Sequence, residues 1–173
     1  MASQVHWIVA PTSLGPVLVA ASEAGVCWLA FESDAARLHE NFGGARLIER
    51  GEFVMRLLDS VVAAIEGPSG AMLDIPIDAR GTPFQQSVWE ALRAIPCGET
   101  RSYGDLAKGF GTPGAARAIG GANGANRIAV LIPCHRVIAA DGTLGGYAWG
   151  LEVKRELLRR EGVAVSHVQA VLF

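Results

Sequence analysis

Ser102-Tyr-Gly-Asp-Leu-Ala-Lys-Gly-Phe-Gly-Thr-Pro-Gly-Ala-Ala-Arg-Ala-Ile-Gly-Gly-Ala122 holds two short helical runs in quick succession. The first spans Ser102 to about Lys108; a Gly109-Phe-Gly111 turn follows, and Thr112-Pro113 opens a second helix to about Ala122. Helix, glycine-containing turn, helix is the pattern of a helix-turn-helix. The second run is unusual for a major-groove reader, which carries several long polar side chains near its start. From Pro113 to Ala125 it is almost entirely small, with Arg117 its one long cation. Each glycine inside a helix costs about 1 kcal/mol relative to alanine, so close packing or close approach must answer the composition. Two readings follow. The helix packs tightly on a neighbour with Arg117 in a surface ion pair, or it enters a minor groove about 6 Å wide and Arg117 inserts into the duplex.

Upstream, Thr82 can cap a helix whose first position suits Pro83, with Phe84, Val88, Leu92 and Ile95 along one face and Pro96-Cys-Gly98 ending it. Downstream, Ile128 to Ile132 is an apolar run bounded by Pro133, and a last helix from about Gly150 to Glu161 stops at Gly162. The N-terminal half reads differently. His6 to Ala10, Val17 to Ala21 and Val26 to Phe31 are β-type runs separated by turn residues, predicting a small antiparallel sheet. Asp34 to Asn41 and Glu52 to Glu66 follow as helices, the latter with Phe53, Val54, Leu57, Leu58, Val61, Val62 and Ile65 at helical spacing and Gly67-Pro-Ser-Gly70 at its end. The expected fold is α/β of the α+β kind. A sheet-and-helix lobe over 1–81 precedes a mainly helical domain over 82–173 that carries the helix-turn-helix.

The chain has 173 residues, 50% hydrophobic and 18% charged, which suits one compact domain or two small lobes and excludes intrinsic disorder. Every apolar run is interrupted well short of the roughly 20 residues a membrane span needs, and Glu23 and Gly25 break the only stretch resembling a signal peptide. Cys27, Cys97 and Cys134 cannot all pair within the chain and lack zinc-ribbon spacing, and neither His6, His39 nor His167 has metal-ligand spacing with a cysteine. A reducing, cytoplasmic setting is expected. The net charge of -2 conceals an asymmetry: residues 1–83 carry five basic against ten acidic side chains, residues 84–173 ten against seven. Within 91–140 six basic residues face only Glu99 and Asp105. Either an ordinary solvated surface or a polyanion-binding face produces this pattern.

Cys134 stands in Leu131-Ile-Pro-Cys-His-Arg-Val137, after an apolar run and before a cationic pair. A free thiol has a pKa near 8.5, so nucleophilic work at neutral pH needs a base or cation beside it, and His135 and Arg136 are the nearest suppliers. Neighbours on a strand face opposite ways, so the two residues cooperate only if the chain turns there or a water bridges them. A base of this kind needs an orienting carboxylate, and none is local. A buried cysteine beside a surface histidine is the bland alternative. A thiol nucleophile beside a minor-groove helix narrows the chemistry to displacement on an alkylated base. The product would be a thioether that no side chain can hydrolyse, so the protein would act once.

In these residues the chain resembles the O6-alkylguanine-DNA alkyltransferases, also called methylated-DNA--protein-cysteine methyltransferases. Phe84-Gln-Gln-Ser-Val-Trp-Glu-Ala-Leu92, Ile95-Pro-Cys-Gly-Glu99, Ser102-Tyr103, Ala115-Ala-Arg-Ala118, Asn126, Ile132-Pro-Cys-His-Arg-Val137, Gly146-Tyr147 and Lys154 to Gly162 agree with that family in order and spacing. Ser13-Leu-Gly-Pro-Val-Leu18 and Ser22-Glu-Ala-Gly25 match its N-terminal lobe more loosely, and Gly146-Tyr-Ala-Trp-Gly150 resembles the C-terminal module of the bacterial adaptive-response members. The resemblance implies direct, irreversible transfer of the alkyl group of O6-alkylguanine, and of O4-alkylthymine, to Cys134. His135 would deprotonate the thiol through a water, Glu161 would hold the other imidazole nitrogen, Asn126 would brace the turn, and Tyr103 would assist the leaving guanine. It also implies minor-groove contacts from Arg117, Tyr103, Thr112, Ala116, Gly120 and Arg136, and a pocket for the flipped base lined by Tyr147, Val137, Ala148, Trp149 and Lys154. Double-stranded DNA carrying alkylated bases would be the partner, with neither a membrane nor a second protein required. Two departures stand out. Ser22 and Cys27 occupy the place where zinc-bearing members have a metal pair, so neither a metal nor another cofactor is expected, and Trp149 stands where many members have glycine. A non-enzymatic damage-recognition protein built on the same helices and a thiol hydrolase are the competing readings.

Overall fold

The computed structural model describes residues 3–68 and 74–165, so the expectations for Ser69, Gly70 and His167 lie outside the described residues. The chain divides into two compact units, one from Met1–Gly67, Ala71–Arg80 and Arg127–Leu131, the other from Pro68–Gly70, Gly81–Asn126 and Ile132–Phe173.

The first unit is built on a four-stranded sheet. Strands β1 (Gln4–Ala10), β2 (Val17–Ser22) and β3 (Gly25–Ala30) form the expected antiparallel meander. After the short helix α1 (Ala36–Asn41), a fourth strand that the sequence reading did not identify, β4 (Arg46–Glu49), pairs parallel with β1. The sheet is therefore mixed, in the order β3-β2-β1-β4. Residues 46–49 carry no buried side chain, so no hydrophobic alternation marked them; the crossover through α1 brings them to β1. Helix α2 (Glu52–Glu66) lies against β1, β2 and β3 and buries Val54, Val61, Ala64 and Ile65. Every residue of β2 and β3 is buried, which is why both read as continuous apolar runs rather than alternating ones.

Strand β3 ends the sheet, and two irregular segments cover its edge. Val26 N–H donates to the Pro76 carbonyl and Asp78 N–H to Val26; Leu29 N–H donates to Arg127 and Ala129 N–H to Leu29. Such cover removes a row of open backbone groups that would otherwise template aggregation. Gly25 is required here: at φ 147° a Cβ would stand 2.4 Å from the Pro76 carbonyl oxygen. The apolar run Ile128 to Ile132 is consequently no strand of its own but a bridge to β3 followed by a tight turn at Val130, a β-branched residue at φ 69°.

The second unit starts with α3 (Pro83–Arg93), whose Thr82 accepts from Gln85 N–H while the Gln85 side chain accepts from Thr82 N–H, a reciprocal capping box. Its buried face is Val88, Trp89 and Leu92, continued by Ile95. Phe84, expected on that face, is instead 42% exposed and tilted against Phe110 at 6.2 Å. Trp89 takes its place and donates its indole N–H to Ala122 at 2.8 Å, tying α3 to α5 (Ala116–Gly124). The helix-turn-helix comprises α4 (Tyr103–Gly109), capped reciprocally by Ser102 and Asp105, a 3₁₀ turn over Pro113–Ala115, and α5. Two short strands, β5 (Arg101–Ser102) and β6 (Val137–Ile138), pair in parallel, and α6 (Leu151–Arg160) closes the unit. Among the described residues no helix is long and apolar enough to cross a membrane.

Candidate active site

The parallel pairing of β5 with β6 brings the start of α4 beside the turn that precedes β6. That turn is Cys134–Arg136, one turn of 3₁₀ helix, so the chain does turn at the cysteine, the condition under which Cys134 and His135 can cooperate. Its entry is tight: Cys134 N–H donates to the Ile132 carbonyl at 2.7 Å across Pro133, which at φ -79° and ψ 63° forms an inverse γ-turn. The same carbonyl accepts from Asn126 Nδ2 at 3.0 Å. Asn126 therefore grips the peptide two residues before the thiol.

Cys134, His135 and Arg136 are all buried, at 3%, 0% and 6% exposure. The remote carboxylate is Glu161, at the C-terminal end of α6, which meets His135 Nε2 at 2.8 Å through Oε1. An imidazole facing a carboxylate offers it N–H, which leaves the lone pair on Nδ1, and that nitrogen has no partner among the described residues. Burial holds the His135 pKa below its ordinary value, opposed by Glu161 and assisted by the Arg136 and Lys154 cations. Burial likewise pushes the Cys134 thiol up to about 11, against the pull of the Asn126 amide, the Lys154 ammonium and the Tyr147 hydroxyl. The resting group at pH 7 is thus a thiol, and a base must take its proton when it reacts.

Arg136, expected among the DNA contacts, points inward. Its Nε and Nη2 donate to the two oxygens of Glu161 at 3.0 and 2.9 Å, and Nη1 donates to the Ile95 carbonyl at 2.6 Å. A guanidinium so committed has no reach to a phosphate. Lys154, expected in the pocket wall, is fully buried with its ammonium on the carbonyls of Val137, Leu144 and Gly146 at 2.7, 2.5 and 3.1 Å. It fastens the loop after the cysteine turn, and burial lowers its pKa to about 8. Sequence reasoning missed both placements, although a signal for one was present. Lys154, Leu157, Leu158 and Glu161 recur at i, i+3, i+4 and i+7, a stripe that puts two ionisable groups on the buried face of α6.

Tyr103, at the start of α4, is half-buried; its ring lies between Gly120 of α5 and Gly145, where added Cβ atoms would stand 3.9 Å from it. Burial, and then the neighbouring Cys134, raise its pKa. Tyr147 meets Trp149 edge-on at 5.2 Å, Ala148 beside them is exposed, and Val137 is fully buried with its carbonyl on Lys154. Helix α5 turns Ile119, Ala122 and Asn123 inward and Arg117, Ala118, Gly121 and Gly124 outward. A Cβ at Gly121 or Gly124 would meet nothing within 4 Å. Packing therefore does not demand these glycines, and Arg117 has no ion-pair partner among the described residues. The small residues of the inner face, Gly120 and Ala122, do meet neighbours at Tyr103 and Trp89, whereas those of the outer face, Gly121 and Gly124, stand in open space. Thr112 is exposed at the preceding turn, and Ala116 and Gly120 flank the open face.

The second unit thus places a buried cysteine, a histidine paired with a carboxylate, and a helix-turn-helix in one domain. The model of the 6-O-methylguanine DNA methyltransferase DNA-binding domain matches residues 83–163. A methylated-DNA--protein-cysteine methyltransferase of Methanosarcina acetivorans is 39% identical over 158 residues, covering 91% of this chain and 99% of the relative. The bifunctional transcriptional activator/DNA repair enzyme Ada of Escherichia coli is 44% identical over 161 residues, and this chain covers 45% of its length. The crystal structure of Mycobacterium tuberculosis OGT in complex with DNA superposes with a TM-score of 0.75 at 40% identity, covering 90% of this chain and 92% of that one. The chain belongs to the methylated-DNA--protein-cysteine methyltransferase family. It spans less than half the length of the Ada proteins it matches.

Proposed function

We propose that this protein repairs DNA by moving the alkyl group of O6-alkylguanine, and of O4-alkylthymine, onto its own Cys134, one event per molecule, acting in the cytoplasm. The observation that carries the reading is the buried Cys134-His135-Glu161 arrangement, in which one imidazole nitrogen meets a carboxylate and the other has no partner among the described residues. The thiol proton passes through a water to His135 Nδ1 while sulfur attacks the alkyl carbon. A C–S bond forms, the C–O6 bond breaks, and its electron pair leaves with guanine, which ends protonated by way of Tyr103 and His135. The thioether is inert, so the site is consumed. Asn126 braces the thiol's turn, and Lys154 holds the loop that carries Tyr147, Ala148 and Trp149 as the pocket wall beside Val137.

Alkylated O6 inside a duplex is out of reach, so the base must leave the stack, at a cost reduced by its weakened pairing. The bare outer face of α5 supports close approach in a minor groove, with Arg117 filling the space of the extruded base and Thr112, Ala116 and Gly120 along the contact. DNA binding and chemistry would both belong to residues 82–173, and residues 1–81 would form the supporting lobe. The test is intact-protein mass spectrometry with peptide mapping after mixing with a duplex carrying one O6-methylguanine. One methyl on Cys134 per strand repaired is the expected result. An unmodified protein that still binds the lesion overturns the reading in favour of recognition alone, and turnover of esters with the thiol intact overturns it in favour of a hydrolase.

A further inference from the structure

A buried arginine is costly unless every donor has a partner, and the Arg136 guanidinium has three: both oxygens of Glu161 and the carbonyl of Ile95. The fork also determines what Glu161 can do for His135. Oε2 is occupied by Arg136 Nε, and Oε1 is shared between Arg136 Nη2 at 2.9 Å and His135 Nε2 at 2.8 Å. A planar guanidinium on both oxygens fixes the carboxylate plane, and with it the direction in which the imidazole N–H must point. The Ile95 carbonyl, beyond the end of α3, fixes the guanidinium in turn.

We propose that Arg136 is a positioning residue of the transfer reaction: by clamping Glu161 it aims the carboxylate at His135 Nε2 and offsets its charge, so that His135 rests as the neutral base whose Nδ1 receives the thiol proton. This deepens the alkyl-transfer reading and rests on it. The charge argument is direct. A lone buried carboxylate at 2.8 Å would favour an imidazolium, already protonated and useless as a base. With Arg136 in place the Arg-Glu pair is neutral overall and a proton on His135 would be an uncompensated buried charge. The other groups facing the imidazole agree: Lys154 on α6 is a cation, Cys134 rests as a thiol, and the Tyr147 hydroxyl is uncharged. Helix α3, also packed against the turn, presents apolar side chains there, its Glu90 and Arg93 being exposed. Burial is the largest cause of the lowered His135 pKa; Glu161 opposes it, and the Arg136 and Lys154 cations add to it.

The test uses the full chain, as wild type, Arg136→Gln and Arg136→Lys. His135 is titrated by NMR of ¹⁵N-histidine-labelled protein between pH 5 and 8, its resonance identified by its loss in His135→Ala. Single-turnover methyl transfer from a duplex with one O6-methylguanine is followed over the same range. In Arg136→Gln the imidazole titration and the acid limb of the rate profile should move together to higher pH by about one unit or more. In Arg136→Lys, which keeps the charge but cannot serve both oxygens, they should move less in the same direction. Arg136→Lys carries the test if Arg136→Gln does not fold. Unchanged titration and acid limb, with only a uniform loss of rate or of melting temperature, would overturn the proposal. If wild type transfers no methyl the functional reading fails, whereas the NMR titration still decides what Arg136 does to His135.

Discussion

His6 in the first unit and His135 in the second are both buried, and burial lowers the pKa of each. Both have Nε2 against a side-chain oxygen: Gln4 Oε1 at 3.3 Å for His6 and Glu161 Oε1 at 2.8 Å for His135. They differ at Nδ1. That of His6 accepts the Phe53 N–H at 2.9 Å, satisfying one of the open donors at the start of α2, and the ring stacks on Phe53 at 4.0 Å. A Cβ on Gly51 would come within 2.4 Å of the same ring, so the site is filled. The Nδ1 of His135 accepts nothing from the described residues. Two imidazoles alike in burial thus differ in whether a lone pair remains for chemistry, and that, more than the lowered pKa, separates a structural histidine from a candidate base.

The comparison is broken or sharpened most severely at the second site. Cys134→Ala is expected to abolish methyl transfer while binding of O6-methylguanine duplex persists in a gel-shift assay; residual transfer would place the acceptor elsewhere. His135→Ala should slow single-turnover transfer about 10²–10⁴-fold, the range of a lost general base, whereas His6→Ala should leave the rate within a few-fold. Similar losses in the two would erase the distinction. Arg117→Ala should reduce transfer from duplex by about tenfold or more, the cost of one contact of 1–3 kcal/mol, with little change on the free modified base, and equal losses on both substrates would remove its role in the duplex. Trp149→Gly should speed reaction with a benzylated guanine several-fold by opening the wall beside Tyr147; no gain would show that the indole does not restrict the pocket.

The smallest effect concerns His6. Its folded pKa is below the ordinary 6.5, so the unfolded chain binds a proton first. Its contribution to stability is complete above the unfolded value and is lost as pH falls from there towards the lowered folded value. Protonation would also remove the acceptor for Phe53 N–H, a cap of about 1 kcal/mol. The melting temperature should accordingly decline from pH 7 to pH 5 more steeply in wild type than in His6→Gln. Parallel curves would show that His6 is not the group responsible.

Much of the second unit was legible because its signals are local. Thr82 with Pro83, the glycine-containing turn between α4 and α5, and Gly162 after α6 each act within a few residues, where capping and backbone preference decide structure. The all-small run of α5 announced an unusual helix but left two explanations standing. The outward placement of Gly121 and Gly124, with open space around them, shows that packing does not require glycine at those two positions. The mixed sheet was less legible, since β4 lacks buried side chains and is recruited by pairing with β1.

The sequence by itself determined the α/β lobe followed by a helix-turn-helix and the boundaries of the main helices to within a few residues, and its ordered motifs, through the family resemblance, named the thiol, the imidazole and the distant carboxylate proposed for the site. Periodicity, caps and ordered motifs are properties of neighbours along the chain. The tertiary structure alone decided that Arg136 turns inward to clamp Glu161 instead of outward to a phosphate, that Lys154 fastens three carbonyls, and that one nitrogen of His135 is left open. These are relations between residues up to 41 positions apart. They depend on which way each side chain points once the helices pack, and no local pattern records that direction.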